Sequence, residues 1–190
     1  EEYMHKDSYS CRVGKGGLKA ALNFRDYLKR VSNNFTEDCY VYSLDFKSFF
    51  MSMDTNIWTD RLLNFAKEKY HGKDEKLLYW LIPTVYNSLP QLNCVKKSRE
   101  WMWGLIDESK SLLNRTDGVG IHIGNVTSQN MANFCTTDYL FRMDKLVDAF
   151  VHYTDDNKGI VKDKVKFLKS LNQIKEECYE KDYLIIHPKK

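Results

Sequence analysis

The run Cys39-Tyr-Val-Tyr-Ser-Leu-Asp-Phe46 constrains the fold more than any other stretch of the chain. It is rich in β-branched and aromatic residues. Its alternation sets Val41, Ser43 and Asp45 on one face of a strand and Tyr40, Tyr42, Leu44 and Phe46 on the other. A lone strand has no independent stability and needs neighbours. Candidates lie far along the chain: Phe150–Tyr153 reads as a strand, Thr154–Asn157 as a turn, Gly159–Val161 as the returning strand, and Tyr183–His187 as a last short strand.

Helical patterns fill the intervals. A glycine-rich turn, Ser8 to Gly17, leads into a helix with Leu18, Ala21, Leu22 and Leu28 on one face. Two more helices are expected near Ile57 to Tyr70 and Glu75 to Asn87, then a long connection with strand content from Pro90 to Trp103. The loop Gly118-Val-Gly-Ile-His-Ile-Gly124-Asn-Val-Thr-Ser128-Gln129 precedes a helix bearing Met131, Cys135 and Leu146, with Thr127 or Ser128 as its cap. Lys162 to Lys181 is amphipathic, with Val165, Leu168, Leu171, Ile174 and Cys178 inward. Trp58, Trp80, Trp101 and Trp103 read as core or interface anchors. The pattern predicts an α+β fold, an antiparallel sheet with helices on one face.

Composition removes several classes. With 43% hydrophobic and 29% charged residues over 190 positions, disordered, collagenous and low-complexity chains are excluded. Apolar runs such as Leu77–Ile82 stop far short of the roughly 18 to 20 residues that cross a bilayer, so no membrane partner is expected. The start has neither an initiating methionine nor a signal segment and reads as a piece of a longer protein. Five scattered cysteines without a Cys-x-x-Cys pair make neither a zinc site nor a disulfide framework, which fits a reducing cytoplasm. His152 reads as an ordinary strand residue. Residues 1–30 carry a net +3, residues 158–190 a net +4 and the middle a net −4, so basic ends flank an acidic centre. Either solvated helix faces or a nucleic-acid groove around a metal-binding middle accounts for that distribution.

Asp45 at one strand end and Asp155 with Asp156 on a hairpin supply the hard oxygen ligands that two Mg²⁺ ions need, with Mn²⁺ as a substitute. Taken alone, the hairpin pair is better explained as turn chemistry, since aspartate is favoured in turns anyway. Arg12 and Lys15, beside the first glycine turn, are candidates for phosphate contact or for solvated turn residues; the Walker spacing is missing.

Leu44-Asp45-Phe46-Lys47-Ser48-Phe49-Phe50, followed later by Tyr153-Thr154-Asp155-Asp156, resembles two hallmark motifs of reverse transcriptases. Between them Gly120–Gln129 is similar to the family's third palm motif, and Leu184-Ile-Ile-His-Pro-Lys-Lys190 to its fourth. Asp7–Gly16 also looks like the segment before the palm in bacterial group II-intron-like enzymes, so the resemblance covers nearly the whole chain. Ile123-Gly124 followed by Ser128-Gln129, together with Trp103–Leu113, resembles the diversity-generating retroelement type, which copies template RNA into DNA with errors at adenines. His122 stands where that subfamily usually has proline.

The resemblance implies a polymerase palm over 39–190, with a helical insertion at about 55–115, after a partial fingers segment over 1–38; the thumb lies beyond Lys190. It implies that Asp45 and Asp155 hold both metals, with the carbonyl of Phe46 a further ligand and Asp156 a weaker one. Phe50 matches the aromatic gate against a ribose 2′-hydroxyl. Gly124 lets backbone approach the nucleotide, Ile123 replaces an amide near it, and Ser128 and Gln129 line the template or nucleotide side. Lys190 aligns with the lysine that protonates pyrophosphate, Lys189 being second. Template RNA, a DNA or RNA primer, deoxynucleoside triphosphates and a small basic accessory protein are the implied partners. Retron or group II intron enzymes, a nucleotidyl cyclase, and a non-catalytic nucleic-acid-binding relative are the competing readings.

Overall fold

The computed structural model describes residues 2–113 and 115–188. The chain divides into two compact units, Glu1–Lys47 with Gln129–Lys190, and Ser48–Ser128.

The first unit is built on a four-stranded antiparallel sheet. Its strands are β1 (Tyr40–Phe46), β2 (Ala149–Tyr153), β3 (Asp156–Val161) and β4 (Ile186–Pro188), in the order β2-β3-β1-β4. Alternation along β1 sorts its side chains as expected: Leu44 and Phe46 are buried and Val41 is exposed. Helices α6 (Val126–Asp144) and α7 (Lys164–Asp182) supply the cover for the buried face. Phe46 meets Tyr139 of α6 edge-on at 5.1 Å, and Tyr42 stacks on Phe167 of α7 at 4.6 Å. Aromatic pairs at these separations add to what burial alone supplies.

The other face is not bare, which corrects the expectation of helices on one face. Helix α1 (Gly17–Val31) packs there on β2 and β3. Ala20 lies in a cluster with Tyr9 and Val151, and Val31 in one with Ala149 and Ile160, with Phe24 and Tyr27 against both. The stripe that faces the sheet is thus Ala20, Phe24, Tyr27 and Val31, while Leu18 and Leu22 point to solvent. A small alanine at the contact lets the helix backbone lie close to the strands. In α7 the inward stripe is Phe167, Leu171, Ile174, Cys178 and Asp182; Val165 and Leu168 are 64% and 49% exposed. The side chain of Asp163 caps this helix by accepting from the Lys166 N–H at 2.9 Å.

The second unit is helical: α2 (Phe49–Ser52), α3 (Thr55–Lys69), α4 (Glu75–Tyr86) and α5 (Glu100–Trp103). Asp54 caps α3 by accepting from the N–H groups of Asn56 and Ile57. Between Pro90 and Trp103 the chain makes a short 3₁₀ turn and then α5, so the strand content expected there is absent. Trp58 is buried, as an anchor should be, but Trp80 and Trp101 are largely exposed. Among the described residues no helix is long and apolar enough to cross a membrane, and all five cysteines are free thiols.

Candidate active site

Asp45 sits near the end of β1, directly opposite Asp156 on β3 and His187 on β4. Directly opposed residues of antiparallel strands share a face, with Cβ atoms about 4.5–5.5 Å apart. Two carboxylates therefore face each other across the centre of the sheet, on the side away from α6 and α7. Both side chains are half-buried. Like charges in this position repel, and a hard divalent cation between them converts the repulsion into binding.

Asp155 lies one step away, in the turn that joins β2 to β3. The turn is tighter than the sequence led us to expect. Tyr153 pairs with Asp156, leaving only Thr154 and Asp155 as loop residues, and Asp156 begins the strand instead of standing at the tip. Thr154 has φ +60°, whereas Asp155 does not lie at positive φ. Positive φ at the first residue of a two-residue hairpin loop is a place where glycine is preferred. A β-branched threonine there is strained. Its hydroxyl is engaged: Thr154 Oγ1 lies 2.7 Å from Ser10 Oγ.

Ser10 belongs to an N-terminal segment that runs along the outer edge of β2. The Tyr9 N–H donates to the His152 carbonyl and the His152 N–H to the Asp7 carbonyl, each at 2.9 Å. Asn133 of α6 donates to the Ser10 carbonyl at 2.9 Å and accepts from the Ser8 hydroxyl at 3.3 Å. The buried Asp7 carboxylate accepts from the hydroxyls of Tyr9 and Tyr27 at 3.1 and 2.5 Å. Burial first, and then this carboxylate, raise the Tyr27 hydroxyl well above the ordinary tyrosine pKa. Arg12 and Lys15, expected near phosphate, serve this loop: Arg12 Nη1 donates to the carbonyls of His5 and Ser8, and Lys15 Nζ to that of Lys6.

His152 is fully buried on the helix-covered face, across from Asn157. Burial pulls its pKa down from 6.5 to about 4, against the opposing pull of the Thr154 backbone and Asp156. Between pH 6.5 and 4 the unfolded chain therefore takes up a proton that the folded chain refuses, and stability falls as pH falls through that window. The expected loss from this residue is about 3 kcal/mol. Denaturant titrations at pH 7, 5.5 and 4 should show it, with a shallower slope in His152→Leu. Equal slopes in the two proteins count against the assignment.

Among the described residues, the group whose three ligand atoms all lie within 4.8 Å of one another is His5, Asp7 and Asp144, not the three aspartates of the sheet. Its hydrogen bonding argues against a metal. His5 Nδ1 accepts from the Asp7 N–H at 3.1 Å, so the neutral ring carries its proton on Nε2, which faces Asp144 at 3.7 Å. The ring is also stacked on Phe150 at 5.0 Å, as a core histidine would be.

In the second unit, the loop before α6 meets the segment that follows β1. The Gly120 N–H donates to the Met53 carbonyl and the Ile121 N–H to the Phe50 carbonyl, both at 2.7 Å, so Phe50 and the Ile123-Gly124 turn are tied together through the backbone. Gly120 has φ +100°, and a Cβ there would strike Leu112 at 2.3 Å and crowd the Met51 carbonyl, which only glycine avoids. Gly124 also has positive φ, with open space where a Cβ would stand. Ile123 is 69% exposed, Ser128 is buried and Gln129 half-buried. Helix α6 already starts at Val126, so Thr127 and Ser128 lie in its first turn and not at its cap. Phe46 contributes its ring to the core, while its backbone pairs with Ile186. Lys189 and Lys190 lie outside the described residues. Sequence reasoning missed Ser10 and Asn133, because nothing local marks a serine as the partner of a turn 144 residues away, or an asparagine as the partner of that serine's carbonyl.

The sequence matches no protein-family model and none of the curated proteins with which it was compared.

Proposed function

We propose that this chain is the palm region, with part of the fingers, of an RNA-directed DNA polymerase that joins deoxynucleotides by two-metal nucleotidyl transfer. The observation that carries the reading is the direct opposition of Asp45 and Asp156 on adjacent strands, with Asp155 in the adjoining turn, in a chain whose motifs fall in reverse-transcriptase order. The donors are all oxygens, three carboxylates and a backbone carbonyl, which suit Mg²⁺ or Mn²⁺ and not a soft metal. Bound there, two such ions would lower the pKa of the attacking hydroxyl and steady the leaving oxygen. Asp45 and Asp155 would hold the ions, with the Phe46 carbonyl and Asp156 as supporting oxygens. Phe50 would bar a ribose 2′-hydroxyl by bulk, and Gly124 and Gln129 would line the path of nucleotide or template, whereas Ser128, being buried, would not. Template RNA, a primer and deoxynucleoside triphosphates are the partners this reading requires.

Extension of a primer on an RNA template, followed with Mg²⁺, with Mn²⁺ and after chelation, tests the proposal in the chain and in any longer protein that carries it. Metal-dependent, template-directed product supports it. Product made without a template points to a nucleotidyl cyclase or other untemplated transferase, and a folded longer protein carrying fingers, palm and thumb that yields none overturns the polymerase reading, the 190-residue piece being expected to be a poor polymerase by itself.

The exposed Ile123 extends the proposal to error-prone synthesis. Replacing an amide by an alkyl side chain beside the nucleotide removes hydrogen bonds that discriminate correct from incorrect pairs, each worth about 1–3 kcal/mol. Ile123→Gln is expected to lower misincorporation at template adenines, as read by sequencing the product. An unchanged error spectrum removes this explanation, and faithful copying by the unaltered protein removes the diversity-generating assignment while keeping the polymerase.

A further inference from the structure

We propose that Ser10 is a positioning residue for the metal-binding hairpin: its hydroxyl holds Thr154 in the left-handed conformation that aims Asp155 and Asp156. This rests on the function proposed above and adds to it a residue from outside the four palm motifs. Among the described residues Thr154, at the hairpin tip, is the one β-branched residue at positive φ, at +60°. A turn of this kind relaxes toward other geometries unless something outside it fixes the backbone.

Ser10 is suited to that task. It is 3% exposed, and its hydroxyl lies 2.7 Å from Thr154 Oγ1. The same oxygen lies 3.4 Å from Cys11 Sγ, a weak acceptor, and either hydroxyl can donate in the shorter bond between Ser10 and Thr154. The serine itself is held from three sides. Its carbonyl accepts from Asn133 of α6, the preceding Tyr9 N–H is bonded to the β2 edge, and the Tyr9 hydroxyl accepts from Asn23 of α1. Helices on both faces of the sheet thus fix one serine, and that serine fixes the first residue of the turn.

A second arrangement points the same way. The Ser8 and Asp7 backbone runs parallel to β2 at His152, two residues before Thr154, so the strand leading into the turn is clamped by the same segment. A mere structural patch would need only those backbone bonds. The side-chain bond from Ser10 adds nothing to β2 and acts on the turn alone.

The test is Mn²⁺ binding to the 190-residue chain, read by loss of the free-ion electron paramagnetic resonance signal, with thermal unfolding measured alongside. Asp155→Asn serves as the control for the site. Ser10→Ala and Thr154→Val should each weaken Mn²⁺ binding about tenfold, the worth of one ordinary hydrogen bond, and Ser10→Thr, which keeps the hydroxyl, should restore it. In a Thr154→Gly background, where the turn adopts positive φ without help, Ser10→Ala should cost much less. Weakened unfolding midpoints with unchanged Mn²⁺ affinity would make Ser10 a structural residue only and overturn the proposal while the metal site stands. If Asp155→Asn binds Mn²⁺ as well as the unaltered chain does, the metal site itself is wrong and this inference falls with it.

Discussion

If the chain is the polymerase palm proposed above, Asp45→Asn is expected to cut primer extension by about a thousandfold, while the folded chain keeps its stability within about 0.5 kcal/mol. The activity side follows from charge: an amide oxygen is a weaker ligand for a hard divalent ion, and several kcal/mol of charge stabilisation at the reacting phosphate disappear with the carboxylate. The stability side follows from register. Asp45 faces Asp156 across β1 and β3, and the isosteric amide keeps the side chain's volume and place in that pair. A change within about 0.5 kcal/mol of zero is the expectation. The pairing of the two measurements is what discriminates. A merely structural aspartate would lower stability and activity together, and a surface aspartate would lower neither.

Arg142→Ala should be the most damaging change outside the site, at about 3–5 kcal/mol. Arg142 on α6 pairs through Nη2 with Asp182 at the end of α7 and lies 3.5 Å from Glu177 through Nε. Asp182 is 2% exposed, and burial raises its pKa against the opposing pull of the arginine. Removing Arg142 leaves that carboxylate in the core with no guanidinium beside it. The neighbouring Cys178 thiol, pushed up to about 12 by burial and then by Asp182, stays neutral beside that carboxylate. Urea denaturation of the single variants and of Arg142→Met with Asp182→Leu checks this. The double apolar variant should recover most of the loss, because two matched apolar side chains have no orphaned charge. A single variant within 1 kcal/mol of the unaltered protein would show that water reaches Asp182.

The sheet was legible because alternation is a strong local signal: Leu44, Phe46 and Asp45 each lie on the face that the sequence of β1 assigns. The helices were legible in extent but not in rotation. In α7 the apolar positions fit two stripes, one through Val165 and Leu168 and one through Phe167 and Leu171, and only the stacking of Phe167 on Tyr42, a residue of a distant strand, selects the second. In α1 the exposed Leu18 and Leu22 outweigh Ala20 in any count of hydrophobicity, yet Ala20 is the residue small enough for the approach to Val151. The candidate site divides in the same way. Its carboxylates stand out by type and place, whereas the Ser10 contact is a matter of tertiary geometry. Arg12 and Lys15 look like phosphate ligands in sequence because a basic turn near glycine has that composition whether its partners are phosphates or the loop's own carbonyls.

The strand order also governs when the molecule can fold. β1 is the earliest strand made, and its neighbours in the sheet, β3 and β4, are both encoded after the whole of the 48–128 unit. Pairing across so long a stretch raises contact order and slows closure of the sheet, while the intervening helices depend on contacts between near neighbours such as α3 and α4. A chain emerging from the ribosome would therefore complete its helical unit while Asp45 still waits on an unpaired strand for Asp156, the residue it faces in the finished sheet.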